Sequence, residues 1–291
     1  MNKITRSSYK EEVTQYTRKD AIHALLFVTY LAVLTFGSSI LMIMFDVIDG
    51  DGQMTFAGYL LGMGLALLTL APLVIIVKKK GQGLDSLGLH LADWKKSLFV
   101  GLFFAIVFLM LFRGLLPGLL AGWQIRSPIM ILWTIVYLLI MAIREDIVFV
   151  GYIQTRIYGL IKRDFLATVT VGALFAVLHY PGFIALNILA GDGFRLDFWF
   201  MLAGMTLSWV MGHILFNVLF RQFRSIIVVI LFHSSSNLAM RGDLWAYSGE
   251  SDISPFFIIS GGIAFGAFLL ITVILPNLKK RKKKQPLLTQ F

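Results

Sequence analysis

Three ionisable residues stand in a row at the end of an apolar run: Arg144, Glu145 and Asp146, in MAIREDIVFV at 141–150. Burying such groups in hydrocarbon costs a few kcal/mol each or more, so ionisable residues inside apolar runs mark candidate sites. Others that lie within such runs are Arg113, His179, His213 and His233. Of the 16 acidic residues, only Glu145 and Asp146 fall inside an apolar run. In LFAVLHYPG, Phe175 and His179 stand at i and i+4, on one face of a helix. In LFHSSSNLAM, His233 and Asn237 have the same spacing, with three serines between them. GHILFN gives His213 and Asn217 that spacing too, and spacing alone does not rank the two pairs.

A carboxylate pair and two imidazoles on separate helices suit two chemistries. In one, Glu145 takes a proton from water while the imidazoles orient that water or stabilise an oxyanion. In the other, Glu145, His179 and His233 hold a metal that activates water; zinc suits those ligands, but the chain has no HExxH spacing. Both lead to hydrolysis of a carbonyl compound such as a peptide. Each feature has a plainer reading. The charged triplet is a solvated collar where a helix leaves the membrane, His179 is a satisfied core residue, and Ser234, Ser235 and Ser236 are small packing residues. A serine nucleophile with His179 as base is the weakest alternative. Neighbours on a helix are about 100° apart, so Arg144, Glu145 and Asp146 are expected on different faces.

The elements that must position these groups are membrane helices. The chain of 291 residues is 58% hydrophobic and 14% charged, with a mean hydropathy of +0.81, which excludes an ordinary soluble domain. Eight apolar runs are long enough to cross a bilayer, at about 21–45, 56–77, 97–120, 128–150, 165–189, 198–220, 225–240 and 254–276. The fold class is therefore all-α: a polytopic membrane helical bundle of about eight transmembrane helices. With the N-terminus in the cytoplasm, 21 Lys and Arg fall on the inner side, and only Arg126, Arg195 and Arg241 on the outer. This asymmetry is the positive-inside rule and places both termini in the cytoplasm. The net charge of +10 is thereby read as topology, not as a nucleic-acid surface.

Residues 1–20 read as a cytoplasmic segment without a cleavable signal, 21–276 as one membrane domain, and 277–291, with KKRKKK, as a basic cytoplasmic tail facing anionic lipid. The loop at 78–96 is expected to form a turn and a short amphipathic helix on the membrane surface, and Pro181-Gly182 to break or kink the fifth span. The chain has no cysteine, which excludes disulfides, thiolate catalysis and cysteine-held metals.

At these residues the sequence resembles the CPBP family of intramembrane proteases, the CAAX-protease and bacteriocin-processing group also called Abi. Its marks are EExxxR, FxxxH and HxxxN, in that order. They match Glu145-Asp146 through Val150, Phe175 through His179, and His233 through Asn237. RSIIVVILFHSSSNL and LGLHLADWKK are similar to family features too, so the resemblance covers about 85–240 and favours His233 over His213. It implies a glutamate-dependent endopeptidase without a cofactor. Glu145 would be the general base, with His179 and His233 assisting and Asn237 holding the oxyanion. Asp146 and Phe175 support them, and zinc on Glu145, His179 and His233 is the metal alternative. The implied substrate is a membrane-associated peptide or protein: prenylated, a bacteriocin or a signal peptide. The implied setting is a plasma membrane, multi-pass and bacterial.

Two departures matter. Asp146 replaces the second Glu, and Val150 replaces the Arg, with neither charge nor hydrogen bond. An inactive membrane scaffold in regulation or bacteriocin immunity is therefore the alternative reading; a proton-coupled transporter using Glu145 and Asp146 is a third. Depth is a further difficulty. With helices bounded as above, Glu145 and His179 would lie roughly 13 Å apart along the membrane normal.

Overall fold

The computed structural model describes residues 9–240, apart from 46, 48–54, 91–92, 110–122, 126–127, 190 and 192, together with 245–247. The helices are α1 (Tyr9–Thr14), α2 (Arg18–Met44), α3 (Phe56–Lys79), α4 (Trp94–Leu109), α5 (Pro128–Asp146), α6 (Asp164–Leu189), α7 (Leu196–Phe223) and α8 (Ile226–Met240). Among the described residues, α2, α3, α6 and α7 are long and apolar enough to cross a membrane, and α8 is a shorter apolar helix. The chain is a multi-pass membrane protein. The apolar run at 254–276 lies outside the described residues, and the third run is described only as far as Leu109. A two-stranded antiparallel ribbon, β1 (Trp123–Ile125) with β2 (Trp245–Tyr247), departs from the all-α expectation.

Local signals set several boundaries. Thr17 and Asp20 form a capping box that starts α2. Thr55 caps α3, and Lys78 and Lys79 sit at its C-terminal end, where the helix dipole favours cations. On α4, Ser97, Gly101 and Ala105 are the buried positions, at i, i+4 and i+8. This stripe of small side chains lets α8 lie close along α4, with Gly101 against Leu231 and Val228. The hydroxyls of Ser234, Ser235 and Ser236 each donate to the carbonyl three residues back on α8, which fits their packing role.

Three expectations are corrected. First, the fourth helix does not stop at 150. α5 passes without a break into a π-helical segment, Ile147–Ile153, then an α turn, Gln154–Arg156, and a 3-10 turn, Ile157–Gly159. Residues 151–159, beyond the expected end of that span, are buried. Second, the described residues of the 78–96 loop form no separate surface amphipathic helix. Its 3-10 turn, Leu84–Leu87, is tucked under the bundle, and Leu87 is fully buried. Gly151 on the π segment makes room for it, since a Cβ there would come within 2.6 Å of the Leu87 carbonyl oxygen. Gly88, in the left-handed conformation (φ 79°), packs against Phe220, and its carbonyl accepts from Ile226 N–H at 3.1 Å. That bond caps the first turn of α8 deep inside the protein. Third, α6 runs helical through Pro181, so the span is not broken there.

Residues before the second helix also belong to the bundle. Val13 and Tyr16 are buried, and Glu12 pairs with Arg224, the one non-glycine residue with positive φ among those described.

Candidate active site

Extending the fourth helix removes the depth difficulty. Glu145 lies fourteen residues from Gly159, and His179 lies fifteen from Asp164, so the two reach the same level. The capped, inset start of α8 brings His233 to that level after seven residues. The widened π turn begins immediately after Asp146, a feature that often accompanies functional sites.

At this level three helices converge on one oxygen. Glu145 Oε2 faces His179 Nε2 at 3.9 Å and His233 Nε2 at 3.8 Å. Its other oxygen, Oε1, accepts from Arg144 at 2.5 Å. The guanidinium expected to point about 100° away thus folds back onto the neighbouring carboxylate, and a long flexible stem lets it do so. Arg156 takes no part in this pairing.

Each imidazole is fixed by its second nitrogen. His179 Nδ1–H donates to the Phe175 carbonyl, one turn earlier, at 2.7 Å. His233 Nδ1–H donates to Asp146 Oδ1 at 3.0 Å. His233 thus lies between the two adjacent acids, one at each ring nitrogen, which is why neighbours on different helix faces can serve one site. Aromatic rings hold the imidazole planes. Trp209 stacks on His179, with centroids 4.8 Å apart and planes at 27°. Phe175 meets His179 edge-on, and Phe216 lies 4.3 Å from His233. Trp209 and Phe216, on α7, were missed in the sequence; with His213 they stand at i, i+4 and i+7, a face that the reading could have exposed.

With both Nδ1 atoms protonated, each neutral imidazole presents a bare Nε2 to a carboxylate oxygen, so three acceptors converge. Separations of 3.8 and 3.9 Å are too long for direct hydrogen bonds and suit a bridging water that donates to two of the three acceptors at about 2.8 Å. The same atoms form the donor set of the zinc alternative. Tetrahedral zinc, with ligands at about 2.0–2.1 Å, would hold them roughly 3.4 Å apart, closer than they stand. No group of three or more His, Asp or Glu forms a metal site among the described residues.

Asn237 lies one turn beyond His233, half-buried, and its side chain has no hydrogen-bond partner among the described residues. His213 is placed elsewhere. It is buried against Gln154 Oε1 (3.0 Å), and Asn217 donates to Thr168 at 2.8 Å, in a polar cluster separate from Glu145.

Residues 127–239 match the family model described as type II CAAX prenyl endopeptidase Rce1-like. That match is consistent with a CPBP-type CAAX-protease family. Comparison with curated proteins and with solved structures returns no match. The matched stretch begins at 127, so LGLHLADWKK, read as similar to a family feature, falls before it. All four of Glu145, His179, His233 and Asn237 fall within it. Val150, where the motif has Arg, is buried in the π segment. In this stretch it is Arg144 that places a guanidinium on Glu145.

Proposed function

We propose that the chain is an intramembrane endopeptidase in which Glu145 activates water against a peptide bond. The observation that carries this reading is the convergence of His179 Nε2 and His233 Nε2 on Glu145 Oε2, with the remaining polar atoms of all three groups already engaged. Glu145 accepts a proton from water as its oxygen bonds to the substrate carbonyl carbon. The carbonyl oxygen becomes an oxyanion, stabilised by the Asn237 amide, while the bare Nε2 atoms of His179 and His233 orient the attacking water. Glu145 then passes the proton to the leaving amine as the C–N bond breaks, which restores the carboxylate. Arg144 keeps Oε1 occupied, so Oε2 is the basic oxygen.

The substrate class that the family match supports is a membrane-associated peptide or protein; prenylated chains, bacteriocins and signal peptides are its candidate forms. The site opens toward the cytoplasm in an eight-span topology with both termini inside, in a bacterial plasma membrane. The guanidinium on Glu145 weighs against the inactive scaffold, whose support was Val150.

The test is cleavage of a membrane-peptide library, with prenylated members, by reconstituted protein. Wild type should cleave and Glu145→Gln should lose at least roughly 100-fold while keeping its Tm. Equal cleavage by both would sink the mechanism. Activity that survives chelation and is not raised by zinc assigns water activation to Glu145 itself; loss on chelation and recovery with zinc would assign it to a metal on Glu145, His179 and His233.

A further inference from the structure

At the end of the bundle where α2 begins and α3 stops lies a polar cavity of about 310 Å³. Gln15, Tyr16 and Asp20 line it from the start of the chain, and Gln82 and Ser86 from the tucked loop. Its size falls within the range of small-molecule pockets, about 300–1,000 Å³. Behind this lining stands Arg156, buried at 1% exposure. Its five hydrogen bonds all go to neutral acceptors: the Ser86 and Gly151 carbonyls, Thr155 Oγ1, Ser86 Oγ and Gln82 Oε1. The rings of Tyr16 and Tyr152 lie 4.6 and 4.5 Å from the guanidinium. Asp20, the carboxylate in the lining, is already engaged. Its Oδ1 accepts from Lys80 Nζ at 2.9 Å, and its Oδ2 from the Thr17 N–H at 3.0 Å and hydroxyl at 2.8 Å. A buried charge without a counter-charge is costly, and Arg156 has none among the described residues.

We propose that this cavity binds the phosphate of an anionic phospholipid headgroup. Arg156 acts through the groups it holds. It engages Gln82 Oε1 and Ser86 Oγ, which leaves the Gln82 amide N–H groups and the Ser86 hydroxyl proton to donate, polarised by the cation behind them. Gln15, exposed in the same lining, adds a second amide. A single unbalanced positive charge suits a phosphodiester, which carries a single negative one. Depth points to a lipid as its source. α2 has 27 residues and α3 has 24, about 40 and 36 Å at 1.5 Å per residue. Their ends therefore reach the headgroup layers of a bilayer roughly 40–45 Å thick overall. Lys78 and Lys79 close α3 at that level. A lipid seated here ties the start of the chain to the tucked loop, and all five lining residues precede the matched stretch. Binding at this place is independent of the endopeptidase reading and is measured without turnover.

The test is the Tm of delipidated full-length protein in lauryl maltoside at constant ionic strength. It is titrated with dihexanoyl phosphatidylglycerol, dihexanoyl phosphatidylcholine or inorganic phosphate. Phosphatidylglycerol should raise Tm saturably, at lower concentration than the zwitterionic lipid or phosphate. Gln82→Glu keeps an acceptor for Arg156 and gives it a counter-charge, so this variant should fold at least as stably. It should bind phosphatidylglycerol about 10- to 100-fold more weakly, the loss expected of charge-assisted hydrogen bonds. Lys78→Gln makes the same change in net charge outside the lining and should keep the wild-type affinity. Gln15→Glu, at an exposed position, is the second cavity variant, should Gln82→Glu fold poorly. No response of wild type to any of the three probes overturns the site. So does wild-type affinity in both cavity variants, or an equal loss in Lys78→Gln. A response to phosphate as strong as that to phosphatidylglycerol overturns the headgroup and assigns the cavity to a soluble phosphate.

Discussion

His233 sits between two carboxylates, and its two nitrogens have different duties. The bond from Nδ1 to Asp146, at 3.0 Å, fixes the tautomer that leaves Nε2 bare toward Glu145. Asp146 is thus a positioning residue in the proposed reaction, and shortening Glu to Asp at this motif position does not remove that role. Asp146→Asn keeps the shape but offers either an amide donor or a neutral carbonyl, so the imidazole is free to flip or change tautomer. The expected outcome is a fall in kcat of roughly 100-fold with KM nearly unchanged. A loss confined to KM would show that Asp146 shapes substrate binding and not the imidazole. Asp146→Glu restores the charge and should recover part of the rate.

The element that most shapes the site is the π segment, and its one glycine is the contact to disturb. A Cβ at Gly151 would meet the Leu87 carbonyl, which is backbone and cannot swing away. Gly151→Ala should cost about 1–3 kcal/mol as overpacking, read as a fall in Tm, with activity reduced because the strain bears on the turn that follows Glu145. An unchanged Tm would mean that the 84–87 turn does not press on this segment. The pairs at 175/179 and 233/237, the carboxylates at 145 and 146 and most helix boundaries were legible in the sequence, because each depends on local spacing or on a single apolar run. The π segment was not. A 3.6-residue count assumes one helix type, and the polar groups of Gln154, Thr155 and Arg156 look like loop residues until their buried partners are known. Neither was the tucked loop at 81–90, since Leu87 and Leu89 read equally well as the apolar face of a surface helix. Arg144 was placed on the wrong face because helical position fixes Cα and Cβ, not the end of a long side chain.

At the scale of the whole molecule, Arg156 ties together parts that have no sequence proximity. The residue is 1% exposed. It donates to the Ser86 carbonyl (3.0 Å), Ser86 Oγ (3.0 Å) and Gln82 Oε1 (2.7 Å) in the tucked loop, and to the Gly151 carbonyl (3.1 Å) in the π segment. It also lies over Tyr16, 4.6 Å from the ring centroid, at the junction of α1 and α2. Burial pushes the Tyr16 phenol above its ordinary pKa, so it meets the cation as a neutral ring. One planar cation thereby holds the N-terminal segment, the loop and the segment that follows Glu145 in a single arrangement, although only the last lies in the matched core. Lysine cannot reproduce this fork: its three donors spring from one atom. Arg156→Lys should therefore leave several buried acceptors unpaired and cost roughly 3 kcal/mol. If that loss falls on the loop, its opening rises about 100-fold. Leu87→Cys reads the opening directly, because this side chain is fully buried in the closed arrangement. Maleimide should label it slowly alone and about 100-fold faster when Arg156→Lys is added, with the peptidase rate falling in parallel. Fast labelling with an unchanged rate would separate the loop from the chemistry. Equally slow labelling in both proteins would show that the packing of Leu87 against Gly151, and not the guanidinium, closes this end of the bundle.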